Sequence, residues 1–253
     1  MKCRFMYNNQ WVPSVVTGSS ADPNFPVSNS QHRWFTRTWR SETGQVSDQY
    51  LICDRGTPLP SNNVMVFITK FNNFSPTAVV KIQGNASNSW GGPSYDYTFP
   101  VINNDVMIQF LGADYYYQYW RHFIDDDSNT DSYIEVGLNY LGPYFEPTRN
   151  YDYGEQLPQL DPSSIRASEG GQLSSVVKDK YWTKSFKFSN VTPLEKPYFQ
   201  LVFDSAGTHK GFFFTEDTLD PYVTTNYVRF FKFDWTYVNW NNWTLDVGLE
   251  KMR

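Results

Sequence analysis

Short apolar and β-branched runs, separated by Gly, Pro, Asn and Asp, recur through the first half of the chain. In residues 133–140, Ile134, Val136 and Leu138 alternate with polar or small residues. This period of two predicts a strand with one buried face and one wet face, so Glu135 should stay outside the core. Because no helical pattern interrupts the series, an antiparallel β-sandwich is favoured. The predicted strands are 50–53, 64–70, 77–84, 105–111, 115–124 and 133–140.

The C-terminal third predicts a sheet with one helix. Thr192-Pro193-Leu194-Glu195 matches a capping box with Pro at the first helical position, and Gly207 is a suitable stop for the helix. Because Pro197 is unfavourable inside a helix, the alternative is a helix that begins at Pro197. Residues 231–237 and 243–249 alternate between apolar and polar, and residues 239–242 join them as a hairpin turn. Further strands are predicted at 182–188 and 211–214.

These patterns divide the chain into three parts. Residues 1–150 form a β-sandwich, residues 151–172 an extended connection, and residues 173–253 a smaller β-sheet module with one helix. The connection is polar and contains Pro158, Pro162 and a Gly pair, which suits an extended segment or a strand laid across both halves.

Composition narrows the class of protein. Aromatic residues make up 19% of the 253 residues, so the chain has enough apolar surface to exclude a wholly disordered protein. The net charge is −5 and no Lys/Arg run occurs, which argues against a nucleic-acid partner. No apolar run approaches the roughly 20 residues that a membrane-spanning helix needs. The N-terminus lacks the apolar core of a signal peptide, so we expect synthesis in a reducing compartment, with Cys3 and Cys53 as two buried thiols or one bridge.

An acidic segment follows the predicted strand 115–124. Asp125, Asp127, Asn129 and Asp131 occupy positions one, three, five and seven of an EF-hand-like loop, and such oxygen ligands suit Ca²⁺. However, Thr130 stands where that loop has Gly, and the position of its bidentate Glu is apolar. We therefore expect a solvated turn that folds without a metal; the alternative is Ca²⁺ held with ligands from other loops.

Trp90, Tyr95 and Tyr97 lie in a Gly/Pro-rich stretch that we expect to be a loop with exposed rings. Flat rings with polar neighbours can bind the apolar face of a sugar. They can equally anchor a neighbouring subunit, because Trp and Tyr are favoured at interfaces. The interface is the preferred interpretation.

No catalytic motif is present. His32, His122 and His209 stand outside the known nucleophile and metalloprotease motifs, and His122 is expected at a sheet edge. Glu135 and Glu146 are the candidate carboxylates for a glycosidase, but Glu135 belongs to the polar face of its strand. We expect a protein that is not an enzyme and has no cofactor.

Several segments resemble a known family. Residues 119–125 (YWRHFID), 133–137 (YIEVG) and 141–147 (LGPYFEP), with 39–41 (WRS) and 50–56 (YLICDRG), resemble the discoidin-like, galactose-binding-fold β-sandwich of tailed-bacteriophage minor tail proteins. Segments between Trp182 and Glu250 are similar to the C-terminal part of those proteins. The resemblance implies a discoidin-like jelly-roll sandwich followed by the smaller module.

The resemblance also implies a function. It points to a structural component of a phage tail, near the tail tip or fibre attachment, that is synthesised in the host cytoplasm and resides in the virion. Its partners would be other tail proteins and copies of itself. The alternative is a carbohydrate-binding module for a host surface glycan. Burial of Trp90 and Tyr95 by other chains would favour assembly, whereas an open cleft with Asn and Asp would favour sugar binding.

Overall fold

The computed structural model describes residues 2–57, 65–112, 115–167, 169 and 171–252. Within these residues the chain is mainly β, with two helices and one 3₁₀ turn. The strands are β1 (Arg4–Met6), β2 (Val15–Gly18), β3 (Trp39–Arg40), β4 (Gln49–Asp54), β5 (Met65–Asn72), β6 (Val79–Asn85), β7 (Tyr95–Phe99), β8 (Val106–Phe110), β9 (Tyr119–Asp125), β10 (Glu135–Phe145), β11 (Gln159–Leu160), β12 (Ser164–Ala167), β13 (Leu173–Val176), β14 (Tyr181–Val191), β15 (Phe212–Thr215), β16 (Thr225–Asn239) and β17 (Asn242–Lys251). The helices are α1 (Lys196–Ala206) and α2 (Pro221–Thr224), and the 3₁₀ turn is Val27–Gln31.

Two antiparallel sheets pack face to face in the N-terminal part. One has the order β2-β4-β9-β6-β7, and the other contains β10, β5 and β8, with β3 paired to β10. Alternate residues of both sheets enter the sandwich core, which is centred on Trp11, Trp39, Phe67 and Trp120, all fully buried. The prediction of a mainly β chain, with a β-sandwich followed by a sheet module with a helix, is confirmed.

A short N-terminal strand joins the sandwich to the rest of the molecule. β1 pairs with β10 on one side and with β15 on the other, so Phe5 lies opposite Phe145 and Phe214. One ten-stranded sheet therefore runs from the sandwich through β1 into β15, β16, β17, β14 and β11. This strand was not among those predicted from the sequence.

Helix α1 packs on the C-terminal part of that sheet. Thr192 Oγ1 donates to Glu195 Oε2 at 3.0 Å and accepts from the Glu195 amide at 3.3 Å, so the hydrogen bonds of the predicted capping box form. They close a turn at residues 193–195, however, and the helix begins at Lys196, so Pro193 is not its first residue. The helix buries Phe199 and Val202 in an aromatic-rich second core. It ends at Gly207, where φ is 55°, a backbone conformation that glycine adopts without strain.

Strand β10 corrects the expectation of one wet face. Ile134, Val136 and Leu138 are buried as predicted. Val136 lies in the sandwich core, whereas Leu138 belongs to a third core on the other side of β5 and β10, so the apolar face switches at Gly137. A Cβ at Gly137 would collide with the Phe35 carbonyl oxygen and lie 2.7 Å from that of Lys70. The strand is thus buried on both faces, because the C-terminal part covers the outer side of its sheet.

The structure corrects two further predictions. The predicted strand 115–124 begins at Tyr119, because residues 115–118 form a loop with partly buried rings. The connection 151–172 does not lie across both halves: β11 pairs with β14, and β12 pairs with β13 as a separate exposed hairpin. The predicted strand 64–70 is β5, although its first residue lies outside the described residues.

Both cysteines are buried free thiols in different cores. Burial raises the pKa of Cys3 well above its ordinary value and that of Cys53 to about 12, so neither is a ready nucleophile. Among the described residues, neither helix has the length and apolar character that crossing a bilayer requires.

Candidate functional site

The outer face of the five-stranded sheet carries an arginine among aromatic rings. In β9, Trp120, His122 and Ile124 point into the sandwich core, so the residues between them, Arg121 and Phe123, point outward. The pairing register places Phe123 opposite Tyr50 of β4 and Arg121 opposite Gln83 of β6. We call the surface formed by these four residues and Trp90 the Arg121 face; its members are Tyr50, Gln83, Trp90, Arg121 and Phe123.

Arg121 is at the centre of this surface. Its guanidinium carbon lies 4.7 Å from the ring centroid of Trp90, 5.0 Å from that of Phe123 and 5.9 Å from that of Tyr50. Its Nε donates to Gln83 Oε1 at 2.7 Å. Among the described residues, the two terminal guanidinium nitrogens donate no hydrogen bond, so these planar donors remain open to a ligand.

Charges at the edge of the Arg121 face nearly balance. Lys81 and Asp96 form an ion pair of 3.3 Å across β6 and β7. Burial lowers the pKa of Arg121, while Tyr50, Asp96 and Asp48 act in the opposite direction, so the guanidinium stays cationic. The face is therefore polar at its rim and aromatic at its centre, without a strong net charge.

Trp90 is the one predicted aromatic on this surface. It belongs to the β6–β7 loop, and its Nε1 donates to Asn88 Oδ1 at 2.7 Å. Asn85 ties the base of the loop, because its Nδ2 donates to the Ser89 carbonyl at 2.6 Å. The ring is thereby held over Arg121, although the loop has exposed serines and glycines around it.

Tyr95 and Tyr97 correct the prediction of a loop with exposed rings. Both lie on β7, on the side of Phe99, and pack against the sandwich core. The ring centroid of Tyr95 is 5.8 Å from that of Trp120, and burial raises the pKa of Tyr95 to about 12. The structure therefore separates them from Trp90, which lies on the opposite side of the sheet.

The acidic segment 125–131 is tied down by hydrogen bonds. Its buried residue, Asp126, accepts from the Ser75 amide at 2.8 Å and from Asn129 Nδ2 at 3.1 Å. Asp127 accepts from the Ser47 hydroxyl, and Asp131 accepts from Asn73 Nδ2 at 3.1 Å. The predicted ligands Asp125, Asp127, Asn129 and Asp131 thus lie along one loop, and the described part of the chain holds no cluster of three or more acidic, His or Cys residues suited to a metal.

The two candidate glycosidase carboxylates are not neighbours. Glu135 begins β10 and pairs with Arg40 at 3.3 Å. Glu146 follows the end of the same strand and pairs with Lys2 at 2.6 Å and Arg4 at 2.7 Å. Eleven residues of extended strand separate them by about 35 Å, far more than a glycosidase pair allows.

His122 is not at a sheet edge, as the sequence had suggested. It lies in the central strand β9 and is fully buried between Phe67 and Phe74, with ring centroids 5.2 and 6.2 Å away. Burial lowers its pKa to about 3, so the ring is neutral in the fold. Its Nδ1 lies 3.4 Å from Asn139 Nδ2, and Nε2 has no hydrogen-bond partner among the described residues.

Sequence reasoning missed Arg121 as the centre of the site. The available signal was the predicted strand over this segment, because a period of two that buries Trp120 and Ile124 turns Arg121 outward. That pattern predicts an outward Arg121, but it does not predict that Trp90 and Tyr50 lie beside it.

No protein-family model and no curated protein matches the chain. Among solved structures, a chitosan-binding module of a chitosanase/glucanase from Paenibacillus sp. IK-5 is 18% identical at a TM-score of 0.42, covering 54% of this chain and 99% of that one. The family 32 carbohydrate-binding module of C. perfringens NanJ, in complex with galactose, is 14% identical at 0.42, covering 56% and 99%. A fucose-binding module of Streptococcus pneumoniae, SpX-3, is 10% identical at 0.43, covering 55% and 99%.

These likenesses each span about half of this chain. The sheets of the structure themselves confirm the predicted β-sandwich, and its discoidin-like character stays a prediction. Phage origin and a role in a tail stay predictions.

Proposed function

We propose that this chain is a glycan-binding module that binds a sugar on the Arg121 face. The observation that carries the proposal is the open guanidinium of Arg121, held 4.7 Å from the centroid of Trp90 and fixed by Gln83 at 2.7 Å. In this reading the chain acts by binding and carries out no reaction.

The chemistry of the face suits a saccharide. A pyranose ring has an apolar face that stacks on an aromatic ring and a rim of hydroxyl groups that need planar hydrogen-bond partners. Trp90 supplies the ring, and Arg121 supplies two or more open donors in a fixed plane. The ion pair of Lys81 and Asp96 adds a donor and an acceptor at the rim. Because the face is nearly neutral, hydroxyl-rich sugars fit it better than highly charged polymers.

Binding of the purified chain to a glycan array tests this proposal. We expect binding to a restricted set of glycans, and a loss of about tenfold or more in affinity for Trp90→Ala and Arg121→Gln. The matched control is Trp240→Ala, because Trp240 is 79% exposed on the β16–β17 turn, away from the face. Each variant is compared by thermal melting, so that a loss of fold is recognised.

Two results would contradict the proposal. One is that the wild-type chain binds no glycan on an array that retains control lectins. The other is that Trp90→Ala and Arg121→Gln bind as tightly as Trp240→Ala.

A structural role in a phage tail is the second candidate, and the β12–β13 hairpin favours it. Ile165, Ala167, Leu173 and Ser175 share one face of this hairpin, and Ile165 and Leu173 are 73% and 75% exposed. Among the described residues, β12 and β13 pair with each other and with no further strand. Because an isolated two-stranded hairpin is marginal in water, a covering partner would stabilise it.

The occupant that we propose for this face is a second copy of the chain. The hairpin has open strand edges and an apolar face, and the same features on a second copy could pair with them in a two-fold interface. Residence in the virion tail, beside other tail proteins, belongs to this second candidate.

Sedimentation of the wild-type chain tests self-association. We expect a concentration-dependent oligomer that the double variant Ile165→Ser/Leu173→Ser converts to a monomer, while a control with exposed Val15→Ser, on the sandwich edge, keeps the oligomer. A wild-type chain that stays monomeric at high concentration, and does not bind other tail proteins, would rule this candidate out.

A further inference from the structure

A cavity of about 500 Å³ lies where the sandwich meets the C-terminal part of the ten-stranded sheet. Its walls come from β1 and the residues after it, the end of the 3₁₀ turn, β10, the end of α1, β15 and β16. This volume is in the range of small-molecule sites, which occur preferentially where two structural units meet. The apolar side chains of its lining are Met6, Val12, Leu138, Ala206, Phe212 and Phe213.

The charges on the cavity wall have one sign. Arg33 and Lys210 line it, and none of its lining residues is acidic. His32 lies beside them as a neutral ring, because burial and the nearby arginines lower its pKa. The chain as a whole carries a net charge of −5, so this local excess of cations is opposite to the overall balance. A concave site of one sign over an apolar floor attracts a ligand of the opposite sign.

Several neutral polar groups of the wall are already used within the protein. Tyr227 donates to the Arg33 carbonyl at 3.1 Å, and Tyr140 donates to the Pro143 carbonyl at 2.7 Å. His32 Nδ1 accepts from the Trp34 amide at 3.1 Å, which leaves Nε2 as the donor of the neutral ring. Among the described residues, the side-chain nitrogens of Arg33 and Lys210 form no hydrogen bond or ion pair, so they are charged donors that a ligand can use. The guanidinium carbon of Arg33 lies 5.4 Å from the ring centroid of Trp34.

We propose that this cavity binds a small organic anion. Its single acidic group pairs with Arg33 and Lys210, and its ring or short apolar body lies against Phe213 and Tyr227. Arg33 and Lys210 come from the two halves of the molecule, so a bound anion bridges the sandwich and the C-terminal part. The cavity shares no residue with the Arg121 face, so the glycan proposal and this one can fail separately.

Fluorescence titration with 1-anilinonaphthalene-8-sulfonate, a ring-bearing anion, tests the site on the full chain. We expect saturable binding that benzoate displaces and that benzamide, its neutral counterpart, does not. Acetate should displace the probe at least about tenfold less well than benzoate, because it lacks the ring that contacts the apolar floor.

Variants locate the bound probe. The double variant Arg33→Gln/Lys210→Gln should weaken binding of the probe about tenfold or more. The matched control, Arg166→Gln/Lys187→Gln, removes two exposed charges away from the cavity and should leave the affinity for the probe unchanged. Val12→Trp is a second, independent variant, which keeps the test valid if the double variant fails to fold. Val12 lines the cavity and is 47% exposed, so a Trp side chain there should block binding of the probe. The proposal is overturned if benzamide competes as well as benzoate, if the wild-type chain binds no probe, or if Val12→Trp binds as the wild type does.

Discussion

Acidification should destabilise this protein through His122, which is neutral and fully buried in the sandwich core. Burial lowers the pKa of His122 from 6.5 to about 3. In the unfolded chain the same ring takes up a proton as the pH falls below 6.5, whereas the native ring does not. The unfolded state therefore binds more protons than the native state in this range. As a result, the free energy of unfolding decreases as the pH decreases.

The size of the effect follows from the two pKa values. At pH 5 the unfolded state gains RT ln(1 + 10^1.5), or about 2 kcal/mol, relative to pH 8. The loss grows by about 1.4 kcal/mol per pH unit and reaches about 4 kcal/mol near pH 3, where the native ring begins to take up a proton as well. The pH 5 value depends little on the native pKa, provided that this pKa is well below 5.

Urea unfolding at pH 8 and at pH 5, followed by tryptophan fluorescence, measures this contribution. His122→Leu nearly conserves volume between Phe67 and Phe74, so its cost at pH 8 should stay below about 1.5 kcal/mol. Between pH 8 and pH 5, the free energy of unfolding of His122→Leu should fall by about 2 kcal/mol less than that of the wild type. His209→Gln is the matched control, because His209 is exposed, and it should keep the wild-type difference.

Equal losses in the wild type and in His122→Leu between pH 8 and pH 5 would refute this reasoning. They would mean that His122 is protonated in the native state, or that acid stability is controlled by carboxylates alone.

Four further changes test the packing, the buried charge, the helix cap and the acidic loop. Lys184→Met should cost about 2 kcal/mol in urea unfolding, because Lys184 is 1% exposed and binds two partly exposed carboxylates at 2.8 Å each. Burial lowers the pKa of Lys184, but the two carboxylates raise it by more, so the pKa in the native state lies above 10.5. The stability that Lys184 contributes is therefore fully present below pH 10.5 and is lost as the pH rises through the native pKa. A wild-type stability that does not change in alkali would contradict this prediction. Gly137→Ala should cost about 3 kcal/mol by collision with backbone oxygens, whereas Gly91→Ala, with open space around its Cβ, should be nearly neutral. Thr192→Ala should cost about 1 kcal/mol, and Thr192→Ser should restore most of it. Chelator should leave the melting temperature unchanged, because hydrogen bonds already hold the loop 125–131; a large drop that Ca²⁺ reverses would reveal a metal site.

Local patterns predicted most elements correctly where short-range physics decides them. The capping box at Thr192–Glu195 forms as expected, since its partners are three residues apart. The hairpin of β16 and β17 turns near residue 240, because alternating strands flank an Asn-rich turn. In contrast, the loop assigned to Tyr95 and Tyr97 is a strand, because pairing with β6 extends the sheet into a Gly/Pro-rich segment.

The candidate site was only partly predictable. Trp90 was predicted to be a glycan-binding or interface aromatic because it lies in a Gly/Pro-rich stretch, whereas Arg121 was not predicted at all. A strand pattern predicts which side chains leave the core, but the neighbours of those side chains come from β4 and β6, which are distant in sequence.

The amino-acid sequence by itself determined the mainly β class, the alternation of its strands and the C-terminal end of its helix, because these depend on residues within a few positions of each other. Only the tertiary structure decided that β1 joins two parts into one sheet, that His122 is interior, and that Trp90 lies over Arg121. These features depend on which strands become neighbours. Strand pairing is set by the burial of whole sheet faces over long separations, and a single strand carries no record of its partner.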